Sequence, residues 1–332
     1  MRIGIANKES WHFLHEVYDE LQAHHTVSKF APRKVNFPLL SYRINYKLLK
    51  HDLLTLMKRN DVVLFEWASG LLAAASKMPK KSFIVTRLHR YEMYYWPNRI
   101  NWDNIDIIIL DSLTKQREFV ERVPEHSHKT MVIHVGVNPD KFAFVPKPFK
   151  GDIGILCNLI PRKRVYELVL AFSELLKQKN DFHLHIGGGR EIKYDDYYYS
   201  LINLIDTLGL KENITIYPPV KDVKAWYQKI DIFISNSYSE GLQISPLEAM
   251  ASGRFVLSHR WAGAEEMLPE EYLYYTNREL QQKIMEYCNL TTEGKISRLN
   301  FLRERVMEKF NVHKTKVDIR RVFEELVNGK HA

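Results

Sequence analysis

The sequence predicts an α/β protein with two doubly wound domains, and three observations carry that prediction. Short runs rich in Ile and Val alternate with amphipathic stretches through most of the chain, the pattern of a parallel sheet covered on both faces. The pattern breaks and restarts around FVPKPFKGD (144–152), where two prolines and a glycine interrupt the periodicity. The chain of 332 residues is also longer than one ordinary hydrophobic core sustains.

In the first half the strand candidates are RIGIA (2–6), TVSKFA (26–31), DVVLFEW (61–67), SFIVTRLH (82–89), DIIIL (106–110) and TMVIHVGV (130–137). Helical patterns near 11–22, 42–58, 69–77 and 113–122 separate them. The second half repeats the grammar with DIGILCN (152–158), FHLHIGG (182–188), ITIYPPV (214–220), DIFISNS (231–237) and FVLSH (255–259). Its helices are expected at about 164–179, 195–208, 222–230 and 245–252, and from 278 onward the pattern is purely helical. No short-period repeat or low-complexity tract is present.

Composition narrows the class. Hydrophobic residues at 45% and charged residues at 27% are ordinary for a soluble globular protein. No apolar run approaches the ~20 residues that span a bilayer. Met1 leads directly into RIGIA with no signal-peptide architecture, so a cytoplasmic protein is expected. Cys157 and Cys288 stand far apart, outside any metal-ligand spacing, and read as reduced thiols. Charge is uneven. Residues 1–150 hold 23 Lys and Arg against 15 Asp and Glu, while the remainder holds 25 of each. Such a one-sided field favours an anionic partner: a phosphorylated acceptor, an anionic membrane surface or nucleic acid. No nucleic-acid recognition motif accompanies the charge, so no nucleic-acid partner is expected. The basic amphipathic stretch NYKLLKHDLLTLMKR (45–59) suits peripheral membrane contact, and equally an ordinary core-facing helix with a solvated basic side.

Open α/β sheets bind ligands outside the carboxyl ends of their strands, so the chemistry is sought in the loops that follow strands. Two such sheets facing each other would make a cleft of the space between them. The richest loop follows DIFISNS and reads SYSEGLQISPLEAMASG (237–253). Glu240 lies in the loop and Glu248 in the first turns of the helix that Pro246 opens. Gly241, Leu242 and Gln243 bring backbone N–H groups to the helix start, where an anion would be held. Acidic residues there also stabilise a helix dipole with no ligand at all.

The segment resembles the E-x7-E motif of retaining family 4 glycosyltransferases (glycosyl transferases group 1). Four further landmarks occur in that family's order: VIHVGVNPDKF (132–142), NLIPRKRVYELVLAF (158–172), FHLHIGGG (182–189) and HRWAGAEEML (259–268). The resemblance implies a GT-B fold: two Rossmann-like domains, 1–148 and 149–312, facing across a cleft, with a C-terminal helix (about 313–332) returning to the first. It implies a retaining hexosyltransferase that carries a hexose from a UDP-, GDP- or other nucleotide sugar to a glycan, lipid-linked or small-molecule acceptor, as in cell-envelope polysaccharide or glycolipid synthesis. Glu248 would bind the donor ribose, Glu240 the transferred sugar, and Lys163 the diphosphate. His89, ending SFIVTRLH, would meet the sugar as a neutral imidazole. Arg90 and Tyr91, opening an unusually aromatic segment, and Glu66, ending DVVLFEW, are acceptor candidates. The family's arginine before the lysine is replaced by Asn158, with Arg162 or Arg164 available to supply the charge. The glycine pair of the first loop is missing from ANKESWHF (6–13). No Asp-x-Asp stands in a suitable loop, so no metal and no cofactor are expected. The departures keep open a degenerate, non-catalytic module, and the fold also admits a nucleotide-sugar epimerase or a sugar phosphorylase.

Overall fold

The structure is a computed structural model that describes residues 1–11, 14–36 and 41–329. The chain forms two compact units: Met1–Val135 together with the segment from Val312, and Gly136–Asn311.

The first unit runs β1 (Arg2–Ala6), α1 (His15–His24), β2 (Thr26–Lys29), α2 (Ser41–Arg59), β3 (Val62–Glu66), α3 (Gly70–Ala75), β4 (Phe83–Leu88), α4 (Glu92–Tyr95), β5 (Ile107–Leu110), α5 (Leu113–Arg122) and β6 (Thr130–Val132). Its six strands lie in the order β2-β1-β3-β4-β5-β6 and every pairing is parallel. The Ile and Val runs are there because both sheet faces are covered. On one face Leu53, Met57, Leu72, Trp102 and Phe119 close a core over Phe65 and Ile108. On the other, Val17 and Leu21 pack over Ile3, Ile5 and Ile109.

The second unit runs β7 (Asp152–Leu156), α6 (Val165–Gln178), β8 (His183–Gly187), α7 (Asp195–Thr207), β9 (Ile214–Ile216), α8 (Val223–Tyr227), β10 (Ile232–Ser235), α9 (Ile244–Ala251), β11 (Phe255–His259), α10 (Ala264–Met267), β12 (Leu273–Tyr274), α11 (Asn277–Cys288) and α12 (Thr292–Lys309). Its strand order is β12-β11-β10-β7-β8-β9, again all parallel. The chain reverses direction across this sheet between β7 and β10. β12 has only two residues, too few to show a period, and the sequence pattern gives no sign of it.

The final helix, α13 (Val312–Val327), rejoins the first unit. Ile319, Val322, Phe323 and Leu326 enter the core beside Val17 and Leu21. Arg320 Nε reaches Glu20 Oε1 at 3.0 Å, and His25 Nε2 lies 3.1 Å from Glu324 Oε1.

The boundary falls at 135/136, ahead of the proline-rich connector. The connector's polar groups explain why it belongs with the second unit. Asp231 Oδ2 accepts from the backbone N–H groups of Lys150, Gly151 and Asp152 at 2.8, 2.9 and 3.0 Å. The guanidinium of buried Arg254 donates to the carbonyls of Val145 and Ile230. Val137 N donates to Phe310 O at 2.8 Å, tying the start of the unit to its last helix.

Candidate active site

The switch point between β7 and β10 is where a ligand is expected on an open α/β sheet. The loops after these two strands carry the strongest motif residues. A close backbone approach shapes the first loop. Gly188 has φ +144°, and a Cβ there would stand 1.7 Å from Cys157 O, so only glycine allows the chain after β7 to cross the end of β8. Pro161–Lys163 then form one tight 3-10 turn ending at Arg164 in the left-handed region (φ 52°). The second loop pins that turn: Tyr238 N donates to Arg162 O at 3.0 Å, and Asn236 Nδ2 to Arg164 O at 2.8 Å.

This arrangement places two cations on one carboxylate. Glu240 Oε1 accepts from Lys163 Nζ at 2.7 Å, from Gln243 Nε2 at 2.8 Å and from Arg162 Nη1. Arg162 Nη1 also donates to Ser239 O at 2.7 Å. Glu240 is 7% exposed. Burial by itself would raise its pKa, but Lys163 and Arg162 outweigh that and hold the carboxyl below the ordinary range. Gln243 is fixed in turn by the hydroxyls of Ser235 and Ser237. Gly241 and Leu242 are buried between Glu240 and the start of α9.

Glu248 is shifted in the opposite direction. It sits in α9 with Oε2 accepting from the Tyr227 hydroxyl at 2.9 Å. Burial raises its pKa to about 7, and Tyr227 offsets only part of the rise. Sequence reasoning missed Tyr227, which reads as one more packing aromatic in α8. Cys157 lies near Lys163, Arg162 and Glu240, with its thiol pushed up to about 11 by burial, which disfavours the thiolate.

The three basic candidates and Asn158 divide by position. Arg162 joins Lys163 on Glu240. Arg164 instead lays its guanidinium over the Tyr238 ring, 4.8 Å from the centroid. Its Nε and Nη1 are buried with no hydrogen-bond partner among the described residues. Asn158 is exposed and donates to Glu191 Oε1 at 2.7 Å.

In the first unit, the sequence reading takes Glu66 for an acceptor candidate, and the structure buries it. Glu66 is 1% exposed at the end of β3. Its register neighbour on β4, Arg87, forks onto it with Nε at 2.9 and 3.0 Å and Nη2 at 2.7 Å. His89 Nε2 lies 2.8 Å from Glu66 Oε1. The sequence reading takes His89 for a neutral imidazole. Burial would lower its pKa, but Glu66 and Glu92 raise it above the ordinary histidine range. The aromatic segment is partly helix: α4 buries Glu92 and Met93 and exposes Tyr94 and Tyr95. Tyr91 lies 5.5 Å from Trp67 between ring centroids, and Arg90 covers Tyr94 at 5.1 Å. Two buried carboxyl groups beside His89 were missed. Glu92 is raised by burial to about 7, and burial likewise raises Asp111. Asp111 could have been found by the rule that found His89, since it directly follows DIIIL.

Residues 150–289 match the family model described as glycosyl transferases group 1. The chain has the GT-B fold of its structural neighbours. The lipopolysaccharide core biosynthesis mannosyltransferase LpcC of Rhizobium leguminosarum bv. viciae is 25% identical over 195 residues, 58% of this chain and 55% of that protein. The chain therefore matches little more than half the length of this curated relative. Among solved structures, HepE of Anabaena in complex with UDP and glucose superposes with a TM-score of 0.80 at 17% identity, over 98% of this chain and 99% of that one. Sucrose-phosphate synthase of Thermosynechococcus elongatus gives 0.80 at 14% identity, over 99% and 100%.

Proposed function

We propose that the protein transfers a hexose, with retention of configuration, from a nucleotide-diphosphate sugar to a glycan, lipid-linked or small-molecule acceptor. The observation that carries this reading is the pairing of Lys163 and Arg162 at the β7/β10 switch point. They form a compact positive charge held beside Glu240, where a diphosphate leaving group needs neutralising. The glycosidic bond from C1 to the phosphate oxygen breaks, and a bond from C1 to the acceptor oxygen forms. The acceptor's proton passes to the departing diphosphate. Lys163 and Arg162 take up the charge that develops there, the role a metal ion plays in other transferases, so the reaction needs no divalent cation. Glu240, kept ionised by the same two cations, orients the sugar. Glu248 binds the ribose hydroxyls, and His89 in the first unit binds a sugar hydroxyl.

The complexes of HepE with UDP and with UDP-glucose, and the mannosyltransferase activity in LpcC's name, support a nucleotide sugar as donor and an envelope glycan as product. The test is donor hydrolysis without acceptor. The protein should release nucleoside diphosphate slowly, and Glu240→Ala should abolish the release. No release from any of a panel of UDP- and GDP-sugars overturns the reading and favours a non-catalytic module.

An anionic membrane surface is the second proposed partner. Helix α2 buries Leu53, Leu56 and Met57 and exposes Tyr42, Arg43, Tyr46, Lys47 and Lys50, a mixed aromatic and basic side. Among the described residues no helix is long and apolar enough to cross a membrane. Binding to phosphatidylserine vesicles, lost on Lys47→Glu/Lys50→Glu, is the expected outcome. Absence of binding by the parent protein ends the proposal.

A further inference from the structure

Three strand ends of the first sheet bring a buried ionic cluster together. Glu66 closes β3 opposite Arg87 of β4, and the Leu88–Leu110 register lets His89 and Asp111 leave the sheet side by side. Arg87, 2% exposed, occupies Glu66 with its planar fork. An ionised carboxylate can only accept, so the 2.8 Å contact means that His89 Nε2 carries a proton and donates it to Glu66 Oε1. The ring plane is set as well. Trp67 stands 4.2 Å from the imidazole between centroids, and it does so from a left-handed backbone (φ 75°). An aromatic residue is held in that region only where its surroundings dictate it, and such strain concentrates at functional sites. Here the surroundings are hydrogen bonds from Trp67 N to Arg87 O and from Trp67 Nε1 to Ser10 O, both 3.1 Å.

We propose that Glu66 is a positioning residue for the transfer reaction: clamped by Arg87, it acts through His89, fixing the imidazole's tautomer and orientation at the carboxyl end of β4. The proposal rests on the glycosyltransferase reading and assigns Glu66 a role different from acceptor contact. Glu66 has almost no surface to offer a substrate, whereas His89, 6% exposed, sits at the end of the sheet where ligands bind. The charged and titratable groups around the imidazole are Glu66 and Arg87 from β3 and β4, Glu92 from α4, Asp111 after β5, and Lys115 of α5, which pairs with Glu118 at 2.6 Å. Glu92 Oε1 accepts from His89 N at 3.3 Å and from Ala68 N at 3.1 Å, so the backbone beside the ring is held by a second carboxyl. Glu66 and Glu92 favour a proton on the ring, which makes His89 a hydrogen-bond donor above the pH at which an ordinary histidine becomes neutral.

The test combines spectra and kinetics. In 15N-histidine-labelled protein, with His89 assigned by the loss of its signal in His89→Asn, the ring should carry a proton on Nε2. Its titration midpoint should fall by about 1 pH unit or more in Glu66→Gln. In the same variant, kcat for the best donor found should fall about tenfold or more and the pH–rate profile should shift with the midpoint, with donor KM little changed. In the His89→Asn background, Glu66→Gln should add no further loss. Glu66→Gln leaves Arg87 without a counter-charge, so Glu66→Gln/Arg87→Met is measured beside it and should show the same spectral change. A parent ring protonated only on Nδ1, an unchanged titration, or an equal kinetic loss without His89 overturns the proposal. Absence of donor turnover in the parent overturns the functional reading beneath it, and the spectra, which need no turnover, tell the two failures apart.

Discussion

Glu240 and Glu248 are eight positions apart, yet their surroundings shift their pKa values in opposite directions. Glu240 accepts from two cations, which outweigh its burial and hold its pKa below the ordinary carboxylate value. The stability it contributes is present above the ordinary carboxylate pKa and is lost as pH falls through its lowered folded value. Lys163→Ala should leave Arg162 on Glu240 but lower turnover about 10²–10³-fold, as measured by single-turnover donor consumption. Arg162→Ala should weaken donor binding, whereas Arg164→Ala should leave it unchanged, because Arg164 lies on Tyr238. Glu248 titrates the other way. Its folded pKa of about 7 lies above the ordinary 4.5, so the folded chain binds the proton more tightly than the unfolded one. Stability therefore declines as pH rises from about 4.5 to about 7, by on the order of 3 kcal/mol. If Glu248 must be ionised to accept from ribose hydroxyls, donor affinity should tighten between pH 6 and 8. Glu248→Gln should abolish that dependence and raise the melting temperature of the donor-free protein at pH 8. Calorimetric titration at several pH values checks the first effect, and thermal melts the second.

At the scale of elements, the site is a pair of loops held in register by backbone contacts. The loop after β7 turns where it does because Gly188 leaves room for the Cys157 carbonyl. Gly188→Ala puts a methyl into that carbonyl and asks for φ +144° from a residue with a Cβ. A loss above about 4 kcal/mol is expected, seen as insoluble expression or a collapsed melting temperature. Gly209→Ala is the control. It too has positive φ (66°), but among the described residues no atom beyond its chain neighbours stands within 4 Å of its Cβ position, so a loss of only about 1–2 kcal/mol is expected. Helix α2 shows how one amphipathic pattern serves two readings. Leu49, Leu53, Leu54 and Leu56 join the core of the first unit, and the basic and tyrosine-bearing side is left for a partner.

For the whole molecule, the two parallel sheets divide the labour. The second holds the cation pair at its switch point, and the first carries the excess positive charge and the His89 cluster. A nucleotide held at 100 times its dissociation constant should stabilise the fold by about 2.7 kcal/mol. Hydrogen exchange should slow in residues 157–164 and 236–243. Protection confined to the first unit would refute the assignment of the donor site.

How much of this was legible in the sequence depends on the range of the physics involved. Periodicity and turn residues are local, so the α/β class, most strands and the connector could be read directly. The E-x7-E segment and the lysine turn are short local motifs, so Glu240, Glu248 and Lys163 could be nominated from a resemblance, and the structure brings Lys163 onto Glu240. Pairing across the fold could not. Arg162 rather than Arg164 reaches Glu240 because the turn at 161–164 puts their side chains on different neighbours, Glu240 for one and Tyr238 for the other. Glu66 became a buried partner of Arg87 through the β3–β4 register, which no spacing along the chain reveals. The sequence by itself determined which residues carry the charges. Only the tertiary structure decided which charges meet and which stay buried, because Coulomb and desolvation energies depend on distance and burial in the fold and not on separation along the chain.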